Sequence, residues 1–368
     1  MMYHLITSLP LITCALFTVL IALEWNNRQL REQRTLFVFM FMATVLYLGH
    51  YVFFNHAVHL IPFMDVVYVT ANLSVFPLYL FYITRLTTRW REWYGCGLLP
   101  AVLGAVTTSI AYGMMTEEET SLFIERYLYQ DQTEGLAGIA LLQAWIHIIC
   151  KIIFAIEVIG TIVYGIRMIR RYDTAVNQFY ADTEDKSMHN IQSVLYLIVV
   201  TSVMSFVANA VGRYRFTDSS FLLAFPSITF SILLFTIGYL GIHRHFSIVD
   251  LKHDRGIMND EEQQETNPDK TLTERIVEVV GKEKIYLQPD LKLEDLARMM
   301  NTNRTYIYQA INQQMGITFN EFINRQRIAY AEQLMNDNPT LSANDVAIQS
   351  GFASISSFYR NLKKYRKA

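Results

Sequence analysis

The sequence has little cysteine: Cys14, Cys96 and Cys150 are the only three, all in apolar stretches and none in a CxxC pair. That excludes a disulfide framework and a cysteine zinc site, and predicts small buried hydrophobes. Signatures of catalysis are also missing. There is no P-loop, no HExxH and no nucleophile elbow. Neither a histidine-kinase ATP site nor a receiver domain fits in the length. The chain is therefore read as non-enzymatic, with no catalytic residue, no cofactor and no metal assigned. His56 and His59 share one loop and are too few to make a metal site. Net charge is −2, which carries no nucleic-acid signal for the chain as a whole. Such a signal has to be sought region by region.

Charge is scarce in the front two thirds. Residues 1–242 hold 30 of the 64 Asp, Glu, Lys and Arg residues, and 243–368 hold the other 34. The first region is too apolar for an ordinary soluble domain. A membrane helix needs roughly 20 mostly apolar residues. Seven segments qualify: Leu5–Leu23, Thr35–Phe54, Val66–Ile83, Trp93–Tyr112, Gly138–Ile166, Ile191–Val211 and Phe221–Ile242. The first lacks a basic n-region and a small-residue cleavage site, so it reads as a retained helix. Tyrosine and tryptophan at segment ends, such as Trp25, Trp93 and Tyr94, suit the bilayer interface.

Orientation follows from Lys and Arg in the short loops. Arg28, Arg31, Arg34, Arg85, Arg89, Arg91, Arg167, Arg170, Arg171 and Lys186 fall on one side, ten in all. Arg126, Arg213 and Arg215 fall on the other. The bias predicts an outside N-terminus and a cytoplasmic C-terminus, with the acidic loop from Met114 to Glu134 outside. Residues 243–270 then form a juxtamembrane segment. Within it, Asp254–Lys270 reads as an acidic flexible linker, or alternatively as a longer signalling helix with frayed ends.

Residues 271–368 read as helical throughout. Leu293, Leu296, Ala297 and Met300 repeat at helical spacing, one face of a helix. Asn301-Thr302-Asn303 breaks it, and a second helix over about Thr305–Gln314 buries Ile307 and Ile311. Gly316 stops that helix. A longer helix, about Phe319–Met335, follows with Phe322, Ile323, Ile328, Ala329, Ala331 and Leu334 inward. Ser342 with Asp345 forms a capping-box variant. Gly351 permits a sharp turn, Ser354 caps the last helix, and Phe358 and Leu362 face inward. Two helix-turn-helix units thus sit about fifty residues apart, each a layout that lays its second helix in the major groove. The region carries 13 Lys and Arg against 10 Asp and Glu.

Over about Leu272–Lys367 these residues resemble the DNA-binding domain of AraC/XylS-type regulators. The resemblance rests on the first helix-turn-helix, the Gly316-Ile317-Thr318-Phe319 turn, the Arg325–Arg327–Ile328–Ala329 linker helix and the Gly351-Phe352 turn, in order. It departs at Lys292, where the family usually has a capping Thr or Ser, and after Tyr365, where the family usually continues with a Gly-Pro tail. The resemblance implies a bacterial regulator that binds double-stranded DNA. By position, it puts Arg304, Thr305, Tyr306, Tyr308 and Gln309 at bases or backbone in the first unit, with Gln309 able to read adenine. It puts Ile355, Ser356 and Arg360 at the matching place in the second unit. Arg360 can read guanine or grip phosphate. Lys363 and Lys364 suit phosphate contact, and equally a solvated helix end.

In the apolar half, His147, Lys151 and Glu157 are the polar groups of interest, all on the fifth segment. Charge inside a membrane is costly. Two readings stand side by side: a site for an anionic ligand that senses a signal, or an interior ion-pair network. Together the sequence describes an all-α protein: a seven-helix membrane domain over 1–242, the juxtamembrane segment and linker, and a double helix-turn-helix domain over 271–368. The expected function is a one-component transcription regulator in the bacterial inner membrane. Its partners are DNA, the lipid bilayer, a second copy of the chain as a homodimer, and a small-molecule or membrane signal. The alternatives are a membrane-tethered protein-interaction module, or a transporter-like membrane domain with an appended regulator. A fluorescent protein fused after Ala368 is expected to be bright, and alkaline phosphatase at the same place inactive. The reverse pattern would contradict the orientation.

Overall fold

The computed structural model describes residues 2–28, 30–88, 92–184, 186–211, 220–243, 251 and 270–366. The described residues are helical with no strand, as the sequence predicts; one isolated antiparallel bridge joins Tyr180 and Lys292. The chain divides into two compact units, residues 1–169 with 189–245, and residues 170–188 with 246–368. Most of the expected linker, including 252–269, lies outside the described residues, as does the end of the chain after Arg366.

The first unit is built from α1 (Met2–Arg28), α2 (Arg31–Phe54), α3 (Ile61–Thr87), α4 (Leu99–Met114), α5 (Glu117–Phe123), α6 (Gly138–Asn177, whose last turns belong to the second unit), α7 (His189–Val211) and α8 (Ser220–Ile242). Helices close their own backbone hydrogen bonds, which is what a lipid environment demands of a spanning segment. Six are long and apolar enough to cross a bilayer: Tyr3–Asn26, Arg31–Phe54, Val58–Thr87, Tyr94–Met114, Gly138–Asn177 and Phe221–Ile242. The remaining expected segment, Ile191–Val211, falls on α7, of which Ile191–Val203 is the apolar stretch among the described side chains. Among the described residues, then, six helices meet the length and composition of a span, and the seventh expected segment lies on α7, a helix of 23 residues.

Packing runs α1 on α2 and α8, α2 on α3, α3 on α4, and α7 on α8. Small residues allow the close approaches. A Cβ at Gly238 would overlap the Phe17 ring, and one at Gly241 would overlap Leu36. Close packing through small residues is how helices associate where lipid removes the hydrophobic drive. The other side of α6 carries Ile149, Ile152, Ile156 and Ile159, all more than half exposed and at helical spacing. An apolar stripe of that kind suits lipid rather than water.

The stretch after α4 was expected to be an acidic loop, and is largely helical. Thr116 and Glu119 close a capping box that starts α5. A π-helical turn, Ile124–Tyr129, follows. Phe123, Ile124, Tyr127 and Leu128 bury against Ile61, Ala140 and Ala144. Three consecutive glutamates, Glu117 to Glu119, gave this segment its loop-like composition and fit the positive end of the helix dipole.

In the second unit, α9 (Lys270–Lys282) precedes the first helix-turn-helix. That motif is α10 (Leu293–Met299) and α11 (Arg304–Tyr308), the latter continued by a π-helical turn, Gln309–Gln314. The long α12 (Phe319–Asp337) leads to α13 (Ala343–Gln349) and α14 (Ile355–Tyr365). Each boundary has a local cause. Asn303, Thr318, Ser342 and Ser354 accept backbone N–H bonds from the first turns of α11, α12, α13 and α14. At α10 the Lys292 side chain cannot accept a bond. Asp295 instead takes the Lys292 backbone N–H at 3.0 Å, so half of a capping box survives. Both helix-turn-helix turns hold a left-handed residue: Asn301 at φ 50° and Gly351 at φ 81°.

The second helix-turn-helix closes on Ile328, Ala331, Val346, Ala347, Phe352 and Phe358. Ala329, expected inward, is exposed. What fixes α12 to its surroundings is Arg327, which is 1% exposed. Its Nε donates to the Tyr286 carbonyl at 2.6 Å, and its Nη2 to the Gln288 and Pro289 carbonyls at 2.6 and 3.2 Å. The guanidinium also lies over the Phe352 ring, 5.6 Å from its centroid. Burial pushes the Arg327 pKa down to about 10, while Asp182 and Asp290 pull it back up, so the group stays charged at neutral pH. Gly351 explains the rest of this joint. A Cβ there would sit 2.6 Å from the Leu287 Cα and the Tyr286 carbonyl oxygen.

Replacing Arg327 by Ala strands three carbonyls, each costing about 1–3 kcal/mol when buried without a donor. Hydrogen–deuterium exchange of the full chain is expected to show protection falling in both α10 and α14. Loss confined to one of them would contradict the joint.

Candidate nucleic-acid interface

The groove-reading face predicted for the first unit lies on α11. Arg304, Thr305, Tyr306 and Tyr308 are half-buried there, each with part of its side chain reaching solvent. Gln309 differs. It opens the π-helical turn, and its Oε1 is buried with no hydrogen-bond partner among the described residues. To read an adenine edge, that side chain has to turn outward.

In the second unit the predicted residues are more open. Ile355, Ser356, Arg360, Lys363 and Lys364 are all exposed on α14. Tyr359, which the sequence reading passed over, is 53% exposed beside them. Its signal was available: it precedes Arg360 on a helix whose inward positions are Phe358 and Leu362. Lys364 lies over the Tyr365 ring, 4.7 Å from its centroid. Arg360 is not free. Its Nη2 donates to Glu184 Oε1 at 3.0 Å, and the Ser354 hydroxyl donates to Glu184 Oε2. Nothing in the spacing of residues 170–188 pointed to that contact. Only an acidic run between basic loop residues was visible.

The polar groups of α6 each meet a carboxylate or none. His147 Nε2 lies 2.9 Å from Asp65 Oδ2, and its Nδ1 lies 3.0 Å from the Gln143 carbonyl. Both ring nitrogens face oxygen atoms. Tyr112 donates to the same Asp65 oxygen at 2.9 Å, and Phe123 and Tyr127 wall the imidazole. Lys151 Nζ donates to Asp131 Oδ1 at 2.9 Å and sits over the Tyr127 ring. Glu157 joins neither pair: both its oxygens are buried with no hydrogen-bond partner among the described residues. Asp65 escaped the sequence reading because it stands one residue outside the segment Val66–Ile83.

Residues 296–367 match a family model described as a helix-turn-helix domain. The chain is 28% identical over 82 residues to an uncharacterized HTH-type transcriptional regulator of Staphylococcus aureus strain COL, and equally to those of strains MSSA476 and N315. Each alignment covers 22% of this chain and 11% of the relative, so the chain spans about a tenth of the length of the curated relatives it matches. No solved structure matches. The matched region contains both helix-turn-helix units described above. The C-terminal region is thus similar to a helix-turn-helix domain, and the helices before it include six that are long and apolar enough, by length and composition, to cross a membrane.

Proposed function

We propose that this chain, whose C-terminal domain is of the AraC helix-turn-helix type, is a membrane-anchored one-component transcription regulator. The apolar helices anchor it in the bacterial inner membrane with α9 to α14 on the cytoplasmic side. The DNA-binding domain reads a specific duplex site, and a signal met by the membrane domain controls that reading. The observation that carries the proposal is the joint at Arg327. It ties two helix-turn-helix units to one linker helix, which suits a protein that enters two successive major-groove faces about 34 Å apart. One domain then covers an asymmetric site, and a homodimer covers a repeat.

Bases are read by Arg360, Ser356 and Ile355 from α14 and by Thr305, Tyr306, Tyr308 and a turned-out Gln309 from α11. Arg304, Lys363 and Lys364 hold phosphates, which position the domain without specifying sequence. Signal control needs differential affinity: a swing from 1:99 to 99:1 between two states takes about 5.5 kcal/mol. On the membrane side, the closed pairs His147–Asp65 and Lys151–Asp131 support the ion-pair reading of this cluster over a vacant anion site.

Arg360→Ala in the full chain is expected to weaken binding to a selected duplex by about 1–3 kcal/mol and to relax base preference at one position. Lys363→Ala is expected to weaken binding evenly across sequences and to lower the salt slope by about one unit. The measurement is fluorescence anisotropy of nanodisc-embedded protein over a salt series. Binding unchanged by Arg360→Ala would remove this arginine from the interface.

A further inference from the structure

The segment joining α6 to α7 does not fold with the helices it joins. Residues 170–188 belong to the same compact unit as the helix-turn-helix domain. Three sets of contacts hold them there. The first is backbone pairing: Ala181 N–H donates to the Leu291 carbonyl at 3.0 Å, and Leu293 N–H to the Phe179 carbonyl at 2.9 Å. These two bonds flank the Tyr180–Lys292 bridge. The second set reaches the linker helix. The Ala181 carbonyl accepts from Asn320 Nδ2 at 2.7 Å and Asn324 Nδ2 at 3.0 Å. Phe179, Tyr180 and Ala181 are all buried. The third is the Glu184 carboxylate, which takes the Ser354 hydroxyl and the Arg360 guanidinium.

The third set sits on the surface expected to meet DNA. Ser354 is the N-cap of α14 and accepts the Ser357 N–H at 3.0 Å. A helix N-terminus, a hydroxyl and an arginine together make a site suited to a phosphate oxygen. Glu184 puts a carboxylate there instead. A DNA strand brought to the start of α14 would meet that negative charge and would have to displace it from Arg360.

We infer that residues 170–188 form an autoinhibitory strap. Backbone pairing docks it on the first helix-turn-helix and the linker helix, and Glu184 occupies the DNA-reading start of α14. Release of the strap frees Arg360 and Ser354 for DNA. The strap is reached without a break from α6, which runs from Gly138 to Asn177. A shift of this apolar helix is therefore the input that loosens the strap. The inference rests on the proposed DNA-binding role of Arg360 and supplies its regulation.

Tyr180 and Lys292 offer a direct test. They form a non-hydrogen-bonded antiparallel pair, whose Cα atoms lie about 4.5 Å apart, within the range a disulfide tolerates. The full chain carrying Tyr180→Cys and Lys292→Cys, with Cys14, Cys96 and Cys150 replaced by Ala, is placed in nanodiscs. Duplexes are enriched from a randomised 40-bp pool by the reduced form. Oxidation is expected to weaken binding to those duplexes at least tenfold, and reduction to restore it. Separately, Glu184→Gln is expected to tighten binding by roughly two- to fivefold, the most that a largely exposed ion pair holds back. Equal or tighter binding by the oxidised form overturns the strap while leaving the DNA-binding reading intact. Absence of any duplex binding in both redox states and in Glu184→Gln overturns the DNA-binding reading and the strap with it.

Discussion

A single buried guanidinium holds the DNA-binding half together. Arg327 projects from the linker helix, satisfies the carbonyls of Tyr286, Gln288 and Pro289, and backs onto Phe352 from the second turn. Burying a charge is expensive, and here the cost is offset by hydrogen bonds from the charged group, which are stronger than neutral ones, and by the nearby Asp182 and Asp290. An apolar side chain could fill the space but could not hold three carbonyls. The arrangement therefore fixes the linker helix against the segment that leads into α10. Gly351 lets the second turn press on Leu287 where any larger residue would collide. With both in place, α12 packs against α13, α14 and the π-helical turn that continues α11.

The membrane half obeys a different constraint. Its backbone is satisfied within helices, its close approaches fall at small residues such as Gly238 and Gly241, and Asp65 and Asp131 receive His147 and Lys151. Both Glu157 carboxylate oxygens are buried with no hydrogen-bond partner among the described residues. Only α6 outruns the apolar region by a wide margin, extending to Asn177. A helix resists bending far better than a linker does. Helix α6 runs on from the first compact unit into the second, a chain connection separate from residues 252–269.

Much of the DNA-binding fold was legible because its signals are local. Ser342 and Ser354 announce helix starts through their own side chains, and Gly351 announces a turn through its missing Cβ. Apolar spacing at Leu293, Leu296 and Ala297 fixed a face. The membrane segments were equally legible, since length and apolarity are read one segment at a time. What stayed hidden depends on residues far apart in the chain. Asp65 meets His147 across 82 positions, and Glu184 meets Arg360 across 176; no spacing rule links them. Gln309 fits a base reader by type and place, while the π-helical turn that holds its Oε1 inward had no signal in the spacing. The segment after Met114 looked like a loop because its glutamates dominate its composition, while Phe123 and Tyr127 supply a buried face that composition alone underweights.

Hydroxyl-radical footprinting of the nanodisc-embedded chain on a selected duplex tests the rigid pairing most directly. The account predicts two protected stretches on one face of the DNA, about one helical turn apart, with the same separation on every selected site. A single protected stretch, or a separation that drifts from site to site, would contradict it.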